Sequence, residues 1–236
     1  PLSQASIAQA MQQRLLQPAP VHLSYQLRQL MWKLFKSDDF ESLWKKQQEF
    51  EDKGLTEDAK KVVSQIRQKA EAEKNHPQLV KALLHQYRYL QYNEENSAPK
   101  IVADLQQTIA SADFPLKNVL QSILADNYWS YFNSNRYSIL SRTKVADTLQ
   151  DFETWDAQRF GETVNQLYLE SLTSAKSLQS IPIKQYEAIV QQGDTESRTF
   201  RPTLYDFLAQ RAIDFFSDSQ SNLTKVKSLK SIKKLI

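Results

Sequence analysis

The sequence predicts an all-α protein: an array of antiparallel helical hairpins of the α-solenoid, tetratricopeptide-like kind, with no significant sheet. Three observations carry that expectation. The 236 residues include three glycines, Gly54, Gly161 and Gly193, too few for a run of β-hairpins or for a glycine-lined phosphate loop. Apolar residues recur at three- and four-residue spacing along most of the chain, the period of a helix with one face inward. Helix-opening signals at Phe40, Pro77 and Pro115 stand at nearly constant spacing, close to the ~34-residue tetratricopeptide period and shorter than the ~40–47 residues of HEAT repeats.

Taken in order, the chain divides into an N-terminal arm and lead helix (1–37), a helical-repeat domain (38–217) and a lysine-rich C-terminal segment (218–236). In the arm, Ile7, Met11, Leu15 and Leu16 mark a short helix stopped by Pro18 and Pro20. A second run carries Leu23, Leu27, Leu30, Met31, Leu34 and Phe35 inward, with Trp32 on its flank, and Ser37, Asp38 and Asp39 supply a turn and N-cap. Phe40, Leu43, Trp44, Gln47 and Phe50 then line one helical face, and Gly54 ends it. The spacing predicts a helix over Leu55 to Lys74, capped by Thr56, with Ala59, Val62, Val63, Ile66 and Ala70 inward. Pro77 opens the next helix, with Leu79, Val80, Leu83, Leu84, Tyr87 and Leu90 inward, and Glu94 to Ser97 form a polar turn. Pro99 opens its partner, through Ile101, Val102, Leu105 and Ile109. Pro115 opens a helix through Leu116, Val119, Leu120, Ile123 and Leu124.

That last helix runs into the densest aromatic stretch of the chain. Tyr128, Trp129, Tyr131, Phe132 and Tyr137, with Arg136, are expected to form a core knot where several elements meet, because aromatic side chains bury the most area per residue. Asn133, Asn135 and Arg136 are expected to end the helix there, since Asn tolerates a left-handed C-cap. Lys144 to Phe152 reads as a connection. Thr154 is the expected cap of a helix through Leu172, with Phe160, Val164, Leu167 and Tyr168 inward and Gly161 marking a close crossing. Pro182 opens a short helix through Tyr186 and Ile189, stopped by Gly193, and a polar loop follows to Phe200. The stretch Arg201 to Phe216 is a helix apolar over a wide arc, so it needs cover on more than one side. Arg201, Tyr205, Asp206, Arg211 and Phe216 are therefore the candidate surface toward a further domain or partner.

Composition narrows the function classes. A hydrophobic fraction of 41% with 24% charged residues supports a packed core. A net charge of +3 is too small for a nucleic-acid footprint. The absence of cysteine removes disulfides, thiolate metal sites and a thiol nucleophile. His22, His76 and His85 are isolated, without the i, i+4 spacing of a zinc helix, so neither a metal nor a cofactor is expected. No strand–glycine–helix unit or Gly-x-Ser-x-Gly elbow occurs. The carboxylate pairs Asp38–Asp39 and Glu94–Glu95 fall at turns and read as solvated caps. Arg136, Arg142, Asp206 and Arg211 stand among apolar neighbours, either as a recognition cluster or as ion pairs that fix helix register. No apolar run approaches a membrane span. The end of the chain places Leu223, Val226, Leu229, Ile232 and Ile236 on one stripe with lysines largely off it. It fits either a last helix packed on the core or an amphipathic helix on an anionic membrane surface. Pro1 is not a translation start, so the chain is expected to begin either after a cleavage or at an artificial boundary within a longer protein.

Three segments carry a family resemblance: Asn127 to Phe132 with Asn135, Arg136, Ile139, Arg142 and Thr143; Thr154, Trp155 and Asp156 with Tyr168, Ser171 and Leu172; and Arg201 through Phe216. Leu43 and Trp44, Lys53 to Leu55, Ala59, Glu73 to Asn75, and Pro77 with Gln78 fit the same pattern. The set resembles the N-terminal helical region of the very large alpha-2-macroglobulin-like proteins of Bacteroidetes, over about Phe40 to Phe216. The resemblance implies a periplasmic or cell-envelope setting and downstream macroglobulin β-sandwich domains, in a parent that traps or inhibits proteases. It supplies no catalytic residue, and the thioester of that family needs a cysteine that this chain lacks. Where the family continues into β-sandwiches, this chain turns lysine-rich after Thr224. The expected function is a non-catalytic scaffold or interaction domain of such a protein. The alternative is a free-standing helical-repeat adaptor holding a peptide or protein in its concave face.

Overall fold

The computed structural model describes residues 39–142, 151–190 and 199–217. Among them the protein is all-α, with nine helices: α1 Phe40–Asp52, α2 Thr56–Ala72, α3 His76–Asn93, α4 Ala98–Ser111, α5 Leu116–Ser134, α6 Arg136–Leu140, α7 Ala157–Ser171, α8 Ala175–Gln179 and α9 Leu204–Ser217. Two 3-10 turns, Phe152–Thr154 and Ile183–Tyr186, complete the set. An isolated antiparallel bridge, Pro182 to Thr203, is the one β-type pairing among the described residues.

Local chemistry sets most helix ends. Asp39 caps α1 by accepting from the Ser42 N–H at 2.7 Å, which satisfies one of the amide donors a helix start leaves open. Gly54 turns the chain into α2 at φ +71°, a left-handed conformation that suits a residue without Cβ. Lys74 makes the next reversal at φ 52°, and Asn75 caps α3 through the Gln78 N–H. Pro77 and Pro99 are the second residues of α3 and α4, positions whose N–H has no helical partner. Pro115 is the N-cap of α5.

Several expected boundaries shift. Leu55, not Thr56, is the N-cap of α2, and no side-chain bond closes that end. Asp156, not Thr154, caps α7, accepting from the Arg159 N–H at 2.8 Å. Thr154 instead closes the 3-10 turn through its hydroxyl bond to the Asp151 carbonyl. Asn135 follows α5, but at φ −112° rather than left-handed, and the chain restarts at once as α6. Pro182 opens a single 3-10 turn in place of a short helix. The arm and lead helix, the connection Lys144 to Gln150, Gly193 and the lysine-rich end lie outside the described residues.

Two hydrophobic clusters share α3. Leu43, Ala59, Val62, Val63, Ile66, Ala82 and Tyr89 close the smaller one between α1, α2 and α3. Val80, Leu83 and Tyr87, on the other side of α3, join the larger one, which continues through α4, α5, α7 and α9. Helix α3 is thus apolar around much of its girth, as a helix covered on two sides must be. Leu84 falls outside both faces and is exposed. The longest packed interface runs between α5 and α7, and Gly161 is buried within it.

The larger cluster centres on the aromatic knot. Tyr128 packs edge-on to Phe152 at 5.4 Å and beside Trp155 at 5.1 Å. Trp129 stacks on Phe132 and meets Phe215 of α9 edge to face, each at 4.9 Å between ring centres. Tyr128, Trp129 and Phe132 are buried, and Tyr131 is partly so. Tyr137 is not part of the knot. It is 92% exposed, because α6 turns Ile139 inward and so points a residue two positions earlier away. Arg136 is half-buried at the start of α6.

Candidate functional site

Among the described residues, open clefts between the helices include the following three. The first, about 420 Å³, joins the α2–α3 turn at Glu73 to Pro77 with Pro115 and with Ile181, Gln185 and Tyr186. Burial lowers the His76 pKa there, against the opposing pull of Asp113. The second, about 370 Å³, lies along α2, α3 and α4. Its floor is a polar network. Arg67 Nε donates to Glu71 at 3.0 Å, Arg67 Nη2 to Asp104 Oδ1 at 3.2 Å and Arg67 Nη1 to Gln86 Oε1 at 2.9 Å. Tyr87 donates to Asp104 Oδ2 at 2.6 Å. Every strong donor here meets an acceptor, so the network reads as a tie between three helices.

The third cleft, about 220 Å³, is assembled from α5, α7 and α9 and is lined by Asp126, Trp129, Tyr168, Arg211, Asp214 and Phe215. Arg211 Nε donates to Ser122 Oγ at 2.9 Å, and Nη2 lies 3.4 Å from Asp126 Oδ2. Asp214 Oδ1 accepts from Gln210 Nε2 at 2.6 Å. Tyr168 is 3% exposed and stacks on Phe215 at 5.3 Å. Its hydroxyl has no hydrogen-bond partner among the described residues. Burial raises its pKa, and Asp126 and Asp214 add to the rise while Arg211 opposes it. All three charges of the cleft therefore act on that hydroxyl.

The expected surface on α9 is distributed differently. Arg211 alone of its five residues lines this cleft, together with Trp129 of the knot. Arg201 is exposed outside it. Asp206 works in a capping box: its carboxylate accepts from the Thr203 N–H at 2.9 Å, and Thr203 Oγ1 accepts from the Asp206 N–H at 3.3 Å, the reciprocal pattern of a helix start. Tyr205 is half-buried against the larger cluster. Phe216 is 5% exposed and packs against Phe215, so it is a core residue and not a docking surface. Helix α9 is covered by α5, α7, α8 and the second 3-10 turn, which supply the cover its wide apolar arc requires.

Arg136, Arg142, Asp206 and Arg211 do not gather into one cluster. Arg142 donates to the Trp155 carbonyl at 2.7 Å and ties α6 to the segment leading into α7. Asp126 and Asp214 were not legible as site residues. Their signal is their spacing: Asp126 stands three residues before Trp129, and Asp214 three after Arg211, which puts each pair on one helix face.

Among the described residues no group of three or more His, Asp or Glu side chains could hold a metal ion, and no helix is long and apolar enough to cross a membrane. The chain matches no protein-family model, no curated protein and no solved structure.

Proposed function

We propose that this chain is a non-catalytic helical scaffold and interaction domain, an α-solenoid segment whose clefts engage polypeptide. The observation that carries the reading is the cleft between α5, α7 and α9. It joins aromatic walls and mixed charges from residues as far apart in the chain as Asp126 and Phe215, and it stays open to solvent. The other polar clusters are consumed in holding helices together, as Arg67, Asp104 and Tyr87 are. Solenoid-like stacks commonly bind extended segments on such surfaces.

The three-segment resemblance supports a parent of the alpha-2-macroglobulin-like kind, set in the periplasm or cell envelope, with downstream macroglobulin domains as partners. The free-standing adaptor for a peptide or protein partner is the second reading, favoured by the same open cleft. The natural coding sequence separates the two. A reading frame running past Ile236 into β-sandwich domains supports the first, and hydrogen exchange on that longer protein should then show α9 amides slower than in the 236-residue chain. A frame without such domains removes the macroglobulin parentage.

A further inference from the structure

We propose that the cleft between α5, α7 and α9 is a lysine-side-chain site, in which Asp126 and Asp214 hold a primary ammonium group and Tyr168 accepts one of its hydrogens. This rests on reading the domain as an interaction module and names the chemistry it recognises.

Size comes first. A cleft of about 220 Å³ is below the ~300–1,000 Å³ of small-molecule sites, and suits one long side chain. Charge comes second. Two carboxylates and one guanidinium leave the cleft at −1, by summing Asp126, Asp214 and Arg211 at neutral pH. Arg211 is already held by Ser122 and Asp126, so it does not answer both carboxylates. Asp214 has no cationic partner, its one recorded contact being the neutral Gln210 amide. The third observation is independent of charge. Tyr168 is almost wholly buried in the cleft wall, and none of the described residues bonds its hydroxyl. A hydrogen-bonding ligand head would give that hydroxyl the partner the described residues do not supply. Trp129 and Phe215 offer ring surface for the methylene stem of a lysine. A divalent metal is a poor occupant, because the Arg211 cation stands 3.4 Å from one of the two carboxylates.

The lysine has two sources: another polypeptide, or this chain's own Lys225, Lys227, Lys230, Lys233 and Lys234. The test is a titration of the isotope-labelled full chain with a capped Ala-Lys-Ala peptide, followed by amide shifts at Asp126, Tyr168 and Asp214. A parallel titration uses the same peptide acetylated on its lysine. Saturable shifts with the first peptide and none with the second are expected. Asp214→Asn should weaken binding at least tenfold, and Tyr168→Phe severalfold. Asp214 is exposed, so its variant keeps the fold and provides the control if Tyr168→Phe does not.

In a 236-residue variant with Lys225, Lys227, Lys230, Lys233 and Lys234 changed to glutamine, tighter peptide binding shows that the chain's own lysines compete for the site. Unchanged affinity shows that the lysine comes from elsewhere. Both keep the ammonium site. Equal shifts with the acetylated peptide, or no saturable shift in the glutamine variant, overturn it. Neither of those failures touches the coding-sequence test of the parentage.

Discussion

Tyr87 of α3 donates its hydroxyl hydrogen to Asp104 Oδ2 of α4 across 2.6 Å, and the same carboxylate receives Arg67 of α2. One side chain thus ties three helices where α3 and α4 make little backbone contact. Burial first, then the bond to Asp104, raises the Tyr87 pKa, so the phenol stays a donor throughout the ordinary pH range. A double-mutant cycle of Tyr87→Phe and Asp104→Asn should show coupling of about 0.5–1.5 kcal/mol in denaturant unfolding. Strict additivity would mean that the pair does not interact in solution.

The knot separates two aromatics that the sequence treats alike. Trp129 is buried between Phe132 and Phe215, so Trp129→Ala should destabilise the protein by about 3–5 kcal/mol. Tyr137→Ala should stay within about 0.5 kcal/mol, because that ring is exposed. Thermal unfolding of both variants checks the contrast, and a reversed order would displace α6.

Phe216→Asp tests whether α9 is core or surface. The ring is buried beside Phe215, and a carboxylate placed there has no partner, a change worth several kcal/mol against the fold. The variant should lose its cooperative transition or unfold at much lower denaturant. A variant as stable as the parent chain would return Phe216 to the surface.

His85 lies against the Trp44 ring at 4.6 Å, with Arg88 donating toward its Nδ1 at 3.2 Å. Burial, then the charges of Arg88 and Lys81, lower its pKa from 6.5 to about 4. The unfolded chain takes up this proton near pH 6.5 and the folded chain only near 4. Stability is therefore full above that window and falls as pH drops through it. The loss should be about 1–2 kcal/mol after allowance for partial exposure. Equilibrium unfolding of His85→Gln across pH 4 to 7 should give a shallower slope, with the remainder from His76, whose pKa is also lowered by burial. An unchanged slope would show that His85 titrates normally.

Much of this architecture can be read from the chain because helices announce themselves locally. The 3.6-residue periodicity places Ala59, Val62, Val63, Ile66 and Ala70 inward, and all five are buried. Pro77, Pro99 and Pro115 mark helix starts within a residue. Caps are less legible, because Thr56 and Thr154 are good capping types beside the true boundaries, and Asp156, two residues on, takes the capping role expected of Thr154. Tyr137 was misplaced because the break after Ser134 resets the helical phase, and composition does not reveal a reset. The α5–α7–α9 cleft was only half visible. Arg211 and Trp129 stood out as residues, but their meeting depends on α9 returning across α5, a tertiary event with no local signature.

The account turns on that return, because the knot, the burial of Phe216 and the cleft all depend on α9 lying against α5. The most direct measurement is a nuclear Overhauser spectrum of the 236-residue chain with labelled aromatic rings. Cross-peaks from the Trp129 indole to both Phe132 and Phe215 are expected, at the 4.9 Å ring separations seen here. A spectrum with the Trp129–Phe132 contact but none to Phe215 would contradict the account, leaving α9 off the knot and the cleft unformed.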